Sequence, residues 1–313
     1  MGEPLTEEDL WLLARRRDIL WMRARMVQAI RWFFIERGYL EVETPIRIPS
    51  LIPEAHIDAV ACGDWFLHPS PELCMKRLLA EGFEKIFQIS KCFREGERGA
   101  YHLPEFTMLE WYHRDRDYMA LMQECRDLII SVASSVGSAG DIVYSGREIH
   151  LKDPWERLSV KDAFERYAPR SLEKTLADGR FDEMMSCYIE PNLGKDCPTF
   201  LYDYPVFPGV LARCKQDDSC LAERFELYMA GIELANAFSE LRDVDEHVLM
   251  FKNTQQYRQS IGKPVYPVSE PFLRAVDAMP ESAGIALGID RLAMILTDSL
   301  SIDRVVSFTP ELL

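Results

Sequence analysis

At 313 residues the chain is long enough for one large domain or two, and 48% hydrophobic residues with 11% aromatics supply a substantial core. Its 36 basic against 51 acidic residues leave a net charge of −15 and a pI near 4.9, which disfavours partners such as nucleic acid, whose phosphates are usually neutralised by Lys and Arg. No apolar run of about 18 residues reads as a membrane span. The start of the chain lacks the basic and apolar segments of a signal peptide, so a cytoplasmic protein is expected. Cysteines at 62, 74, 92, 125, 187, 197, 214 and 220 form no CxxC pair and no zinc spacing, and are expected to be reduced thiols.

The elements follow from periodicity. A helix is predicted over about 8–38, with Met26, Ile30, Phe33 and Phe34 on its packed side and arginines on its polar face. It leads into a strand at 40–44, short strands to about 68 and a helix at 71–81. Residues 87–112, FQISKCFREGERGAYHLPEFTMLEWY, alternate before Arg94 and again after Pro104. They predict two antiparallel strands joined by a loop at 95–104 that folds over a ligand. Arg94 would then point from the strand into the space beneath the loop, where a guanidinium with five donors suits a phosphoryl oxygen.

Residues 117–136 read as an amphipathic helix, and 141–198 as a polar, helical, Pro-interrupted insertion with no chemical motif of its own. Strands resume at TFLYDYP and continue over 223–238, a helix fills 243–261, and a Gly-rich strand runs into a helix over 284–296. RVVSFT at 304–309 reads as a last strand. Long antiparallel strands with helices outside predict an α+β fold.

Three carboxylates, Glu226, Glu233 and Glu240, recur every seven residues. Odd spacing flips faces in a regular strand, so they cannot share one face of an unbroken strand. A turn near Ala230–Gly231 would place Glu226 and Glu233 on adjacent antiparallel strands, where both face one ligand. Such a pair suits Mg²⁺, which keeps waters and takes one or two carboxylates. A solvated acidic strand face is the competing reading. Glu72, Glu110 and Tyr112 supply what a long cationic substrate needs, carboxylates at its amino groups and an aromatic contact along its stem. Glu110 and Tyr112 share a strand face, although Tyr112 also fits as a core aromatic.

The stretch around Arg94 resembles motif 2 of the class II aminoacyl-tRNA synthetases, in which Phe-Arg precedes a loop that returns through Pro-Glu-Phe. RGYLEVETPI resembles motif 1, ending at Pro45, and GIALGIDRLAMIL resembles motif 3. SPELCMKRLLAEGFEKIFQI at 70–89 and GIELANAFSELRD at 231–243 are similar to the lysine branch of that class. Ser-Pro-Glu, EFTMLEWY, GIELAN and GIALGIDRL together resemble the truncated elongation factor P lysine ligases.

The resemblance covers essentially the whole chain and implies a single catalytic domain over 1–313. Its antiparallel sheet would be flanked by helices, with motif 1 at about 18–45, motif 2 at about 85–113 and motif 3 at about 284–297. No anticodon-binding domain is expected, since the roughly 20 residues before motif 1 are too few for a barrel. ATP and Mg²⁺ are the implied cofactors. Elongation factor P and lysine or (R)-β-lysine are the implied partners, with a homodimer through motif 1 and weak or absent tRNA binding.

The resemblance also implies site residues. Arg94 and Arg291 would be catalytic. ATP would meet Arg94, Glu95, Gly96, Glu97, His102, Phe106, Glu233, Leu234, Gly288 and Arg291, with Phe106 stacking on adenine and His102 near the γ-phosphate. Glu226 and Glu233 would hold the metal. Ser70, Glu72, Glu110, Tyr112, Asn236, Glu240 and Ala286 would hold the amino acid, with Glu240 on the ε-ammonium and Asn236 on the carboxylate. Gly96 departs from the family's usual Glu, and Leu103 from a common Asn. Ala286 stands where lysyl-tRNA synthetases have Gly, and its methyl group would push an α-amino group aside and favour a β-amino one.

Overall fold

The structure is a computed structural model that describes residues 7–313 except 139, 153 and 207–210, with side chains from residue 16 onward. Eight strands form the central sheet. In chain order they are β1 (Leu40–Glu41), β2 (Lys85–Phe93), β3 (Glu105–Arg114), β4 (Glu156–Ser159), β5 (Thr199–Pro205), β6 (Leu221–Met229), β7 (Ile232–Ser239) and β8 (Ser282–Gly288). Their spatial order is β1-β2-β3-β8-β7-β6-β5-β4. All neighbours run antiparallel except the two outermost pairs, β1 with β2 and β4 with β5.

Alternation divides the sheet into two faces. On one, Phe87, Leu109 and Trp111 pack in the main core with helices α1 (Glu7–Glu36), α3 (Tyr118–Ser135) and α5 (Ile289–Leu296). Met26, Ile30, Phe33 and Phe34 of α1 are buried there as their spacing predicts. Phe34 stacks on Phe87 with ring centroids 4.7 Å apart and meets Trp111 at 5.2 Å. Truncating so enclosed an aromatic side chain costs about 3–5 kcal/mol. The other face carries Glu110 and Tyr112, and α2 (Glu72–Ala80) closes it by packing Met75 and Leu79 against Ile86 and Tyr112. The remaining long helix is α4 (Val244–Ser260).

Asp290, 2% exposed, fastens the three motif regions together. Its Oδ1 accepts from Arg23 of α1 at 2.5 Å and its Oδ2 from the Thr107 amide of β3 at 2.6 Å. A buried carboxylate is stable there because charged and backbone donors meet both oxygens.

Two predicted elements differ. The 141–198 segment is not helical throughout. Asp141–Tyr144 and Arg147–His150 pair as a hairpin whose Ile142, Tyr144 and Ile149 enter the main core, and β4 extends the central sheet beside β5. Alternating apolar residues there found buried surface to cover, which overrode the polar average. Residues 304–309 form no strand. The Val306 and Ser307 carbonyls accept instead from Arg16 of α1, at 2.9 and 2.5 Å. The segment's acceptors are thus satisfied by a side chain rather than by a sheet neighbour.

Candidate active site

A cavity of about 570 Å³ opens on the α2 side of the sheet, within the range of small-molecule sites. Residues from β3, β6, β7 and β8, the 94–106 loop, the start of α2 and the 52–57 loop line it. Its two ends differ in chemistry.

At one end stand two arginines. Arg94 directly follows β2 beneath the predicted hairpin loop, whose neck is closed by the Arg94 amide donating to the Pro104 carbonyl at 2.9 Å. Its guanidinium lies 5.1 Å from the Phe106 ring centroid and 3.8 Å from Glu97, and its Nε is buried without a partner. Arg291, in the first turn of α5, donates to the Glu233 carbonyl at 2.8 Å and to Glu233 Oε2 at 3.3 Å. It also donates to His102 Nε2 at 2.6 Å. Burial, then Arg291, depresses the His102 pKa, so the ring accepts this bond in its neutral form. His102 is therefore engaged with Arg291. Leu234 and Gly288 line the same end. Glu95 and Gly96 do not: both are exposed at the loop tip, and the chain turns at Gly96 so that Glu97 faces inward instead.

Glu226 and Glu233 reach the cavity on neighbouring strands, joined by the predicted turn in which Ala230 and Gly231 take φ of 52° and 75°. A bulge adds what alternation could not supply. Tyr228 pairs with Glu233 and Leu227 with Ala235, passing over Leu234, so Glu233 and Asn236 both line the cavity although three residues apart. Glu226 accepts from Tyr204 at 2.5 Å, from Tyr228 at 2.6 Å and from Arg224. Glu190, from the 141–198 insertion, joins them. Burial, then Glu226 and Glu233, pushes its pKa up to about 7. That insertion therefore does contribute to the site. Burial raises the pKa of Glu226 as well, and Glu233 adds to it, so the Glu226 and Glu233 pair offers oxygen donors suited to a hard divalent cation, which would relieve the repulsion. At Glu226 the cation would replace Arg224.

At the other end the charges are already paired. Ser70 Oγ donates to Glu110 Oε1 at 2.5 Å, and the Tyr112 hydroxyl to Oε2 at 3.1 Å. Burial, then Glu72, pushes the Glu110 pKa up to about 8. Lys76, 1% exposed on α2, holds Glu72 at 2.5 Å and Glu240 at 2.6 Å. Burial alone would lower the Lys76 pKa, but Glu240 and Glu72 raise it, so the ammonium stays charged. Glu240 does not itself line the cavity. It lies one layer deeper, with Oε1 unpartnered and packed beside Gly284, which does line it. A Cβ on Gly284 would come within 2.3 Å of the Tyr112 ring and 2.6 Å of Glu240 Oε1. Glycine is therefore what leaves an approach to that carboxylate. Asn236 Oδ1 accepts from Arg224 at 3.0 Å, and Ala286, opposite Glu110 across β3 and β8, completes the wall.

Lys76, Arg224, Gly284 and Glu190 were missed in the sequence. Two had a signal: Lys76 stands four residues after Glu72 on one helix face, and Arg224 two before Glu226 on one strand face. Gly284 and Glu190 depend on contacts between distant segments.

The family profile described as tRNA synthetases class II (D, K and N) matches residues 9–311. The chain belongs to this class II synthetase family. It is 35% identical to an elongation factor P–(R)-β-lysine ligase of Klebsiella pneumoniae (strain 342), over 98% of this chain and 99% of that one. The corresponding ligase of Photorhabdus laumondii is 37% identical over 97% and 99%. A lysine–tRNA ligase of Azoarcus sp. (strain BH72) is 35% identical over 96% of this chain but 65% of its own length.

Proposed function

We propose that this chain activates a lysine-type amino acid, (R)-β-lysine foremost, as an aminoacyl-adenylate and transfers it to the ε-amine of a lysine on elongation factor P. The observation that carries the reading is the pairing, in one cavity, of two arginines suited to phosphates with the carboxyl groups of Glu72 and Glu110, backed by Glu240 behind Gly284, suited to a dication. Full-length similarity to ligases of that name supports the choice of substrate and acceptor.

In the proposed first step the substrate carboxylate attacks the α-phosphorus of ATP in line, and pyrophosphate leaves. Arg94 stabilises the charge that develops on the α-phosphoryl oxygens, and Arg291, exchanging His102 for phosphate, holds the γ end. Mg²⁺ held by Glu226 and Glu233 would neutralise the triphosphate. Phe106 would stack on adenine, Asn236 would orient the substrate carboxylate, and Glu72, Glu110 and Glu240 would hold the ammonium groups. The Ala286 methyl group favours the β-amino acid.

A net charge of −15 supports a protein acceptor over tRNA. Among the described residues no helix is long and apolar enough to cross a membrane, and a cytoplasmic site of action fits the reading. Trp21, Trp32, Ile35 and Leu40, exposed on α1 and β1, support a homodimer through the motif 1 region.

The test is amino-acid-dependent ATP/pyrophosphate exchange with α-lysine and (R)-β-lysine in parallel, with and without EDTA, followed by mass spectrometry of elongation factor P. Metal-dependent exchange that prefers β-lysine, with the matching mass gain, supports the proposal. Absence of exchange with both amino acids rejects it.

A further inference from the structure

We infer that Glu54 receives the acceptor lysine ammonium in the transfer step and takes its first proton, an assignment that rests on the adenylate-transfer reading above. Glu54 lies on the 52–57 loop that forms a wall of the cavity with Ser70, Glu72 and Arg94. The backbone around it is fixed from behind. Arg258, fully buried in α4, donates to the Glu54 carbonyl at 2.8 Å, the Ile57 carbonyl at 2.9 Å and Asp58 Oδ1 at 2.5 Å. Lys263 donates to the His56 carbonyl at 3.0 Å, and Tyr266 accepts from the Ala59 amide at 2.9 Å. So much anchoring holds a loop that carries no core side chain at Glu54. Its carboxylate has no hydrogen-bond or ion-pair partner among the described residues and remains open to the cavity.

The placement suits the junction between the two ends. The charged groups facing Glu54 are Arg94, Glu72, Arg224 and Glu97, drawn from both ends of the cavity. Burial pushes its pKa up, Arg94 opposes the shift and Glu72 adds to it, which makes the carboxylate a better base than a solvated one. Nor is it needed for the amino acid. Glu72, Glu110 and Glu240, three carboxyl groups against the one ammonium of Lys76, already stand at the amino-acid end to meet the two ammonium groups of a lysine-type substrate.

The second step needs such a group. A lysine amine has a pKa near 10.4, so at pH 7 only about one in 2,500 is unprotonated. In the proposed step Glu54 takes one proton from the ammonium, and the freed lone pair attacks the acyl carbon of the mixed anhydride. The C–N bond forms, the bond from that carbon to the AMP phosphate oxygen breaks, and AMP departs. The second nitrogen proton leaves to the departing phosphate.

The experiment compares two nucleophiles for the same preformed adenylate: elongation factor P, and hydroxylamine, which is small and already neutral at pH 7. The quantity read is the ratio of protein transfer to hydroxamate formation. Glu54→Gln is expected to lower that ratio by about 100-fold or more, the scale of a lost general base, whereas Glu54→Asp stays within about tenfold of the native ratio. Hydroxamate formed by Glu54→Gln shows that the variant is folded. An unchanged ratio in Glu54→Gln overturns the assignment, as does a parallel fall of both products, which would place Glu54 in holding the adenylate rather than in receiving the amine. If the native protein shows no ATP/pyrophosphate exchange, the parent reading fails, and this inference with it.

Discussion

The two ends of the cavity solve opposite problems. At the amino-acid end Glu110, Glu240 and Lys76 are buried and Glu72 is half-buried, with Ser70 and Tyr112 holding Glu110 and Lys76 holding Glu72 and Glu240. At the nucleotide end Arg94, Arg291 and Glu233 remain partly exposed, and their partners are ones that a polyanion can displace, such as His102 and Glu97. Buried charges are costly unless paired, so that end is set before ligand arrives and selects by shape. The exposed end holds its arginines loosely, at little cost, until phosphate replaces their partners. Selectivity and catalysis are thus assigned to regions of different rigidity.

The sharpest way to break this contrast is Lys76→Met. It leaves Glu240 buried, and Glu72 half-buried, without a cation and is expected to cost about 3–5 kcal/mol in stability, read by chemical denaturation. Adding Glu240→Gln should recover much of that loss, whereas equal stability of Lys76→Met and the native protein would mean the pair is not preset. Next is Arg94→Ala, which should lower the rate of ATP/pyrophosphate exchange by about 100- to 1000-fold while leaving the denaturation midpoint nearly unchanged. Arg94→Lys should rescue little, because the forked donor geometry is lost. Near-normal exchange in Arg94→Ala would remove it from the chemistry.

Gly284→Ala tests the rigid end from the substrate side. Its Cβ would collide with the Tyr112 ring and Glu240 Oε1. With about 1–3 kcal/mol of overpacking the amino-acid KM should rise by up to about 100-fold, and the KM for ATP should move far less. A comparable rise in both would show that the ends are not separable.

The smallest effect is on pH. Folded Glu110 keeps its proton up to about 8, whereas an unburied carboxyl loses it near 4.5. The charged form that binds an ammonium therefore appears only as pH rises through 8. The sign follows: amino-acid affinity should increase by about tenfold per unit below 8 and then level, while Glu110→Gln flattens the profile. The same proton makes burial of Glu110 most compatible with the fold at low pH, a contribution lost as pH rises from the ordinary carboxyl range through 8. An affinity independent of pH between 6 and 8 would place the substrate ammonium elsewhere.

The sequence by itself determined the hairpin around Arg94, the packed face of α1, the turn at Ala230–Gly231 and the placement of Glu110 with Tyr112. Each depends on local periodicity or turn chemistry that neighbouring residues carry. Only tertiary structure decided the rest. The bulge over Leu234 brings Glu233 and Asn236 to one cavity, and the insertion lends both β4 and Glu190. Arg258 holds Glu54 in the wall from 204 residues away. Strand pairing and loop anchoring are settled by which distant surfaces meet, and no pattern within a short window of sequence encodes that meeting.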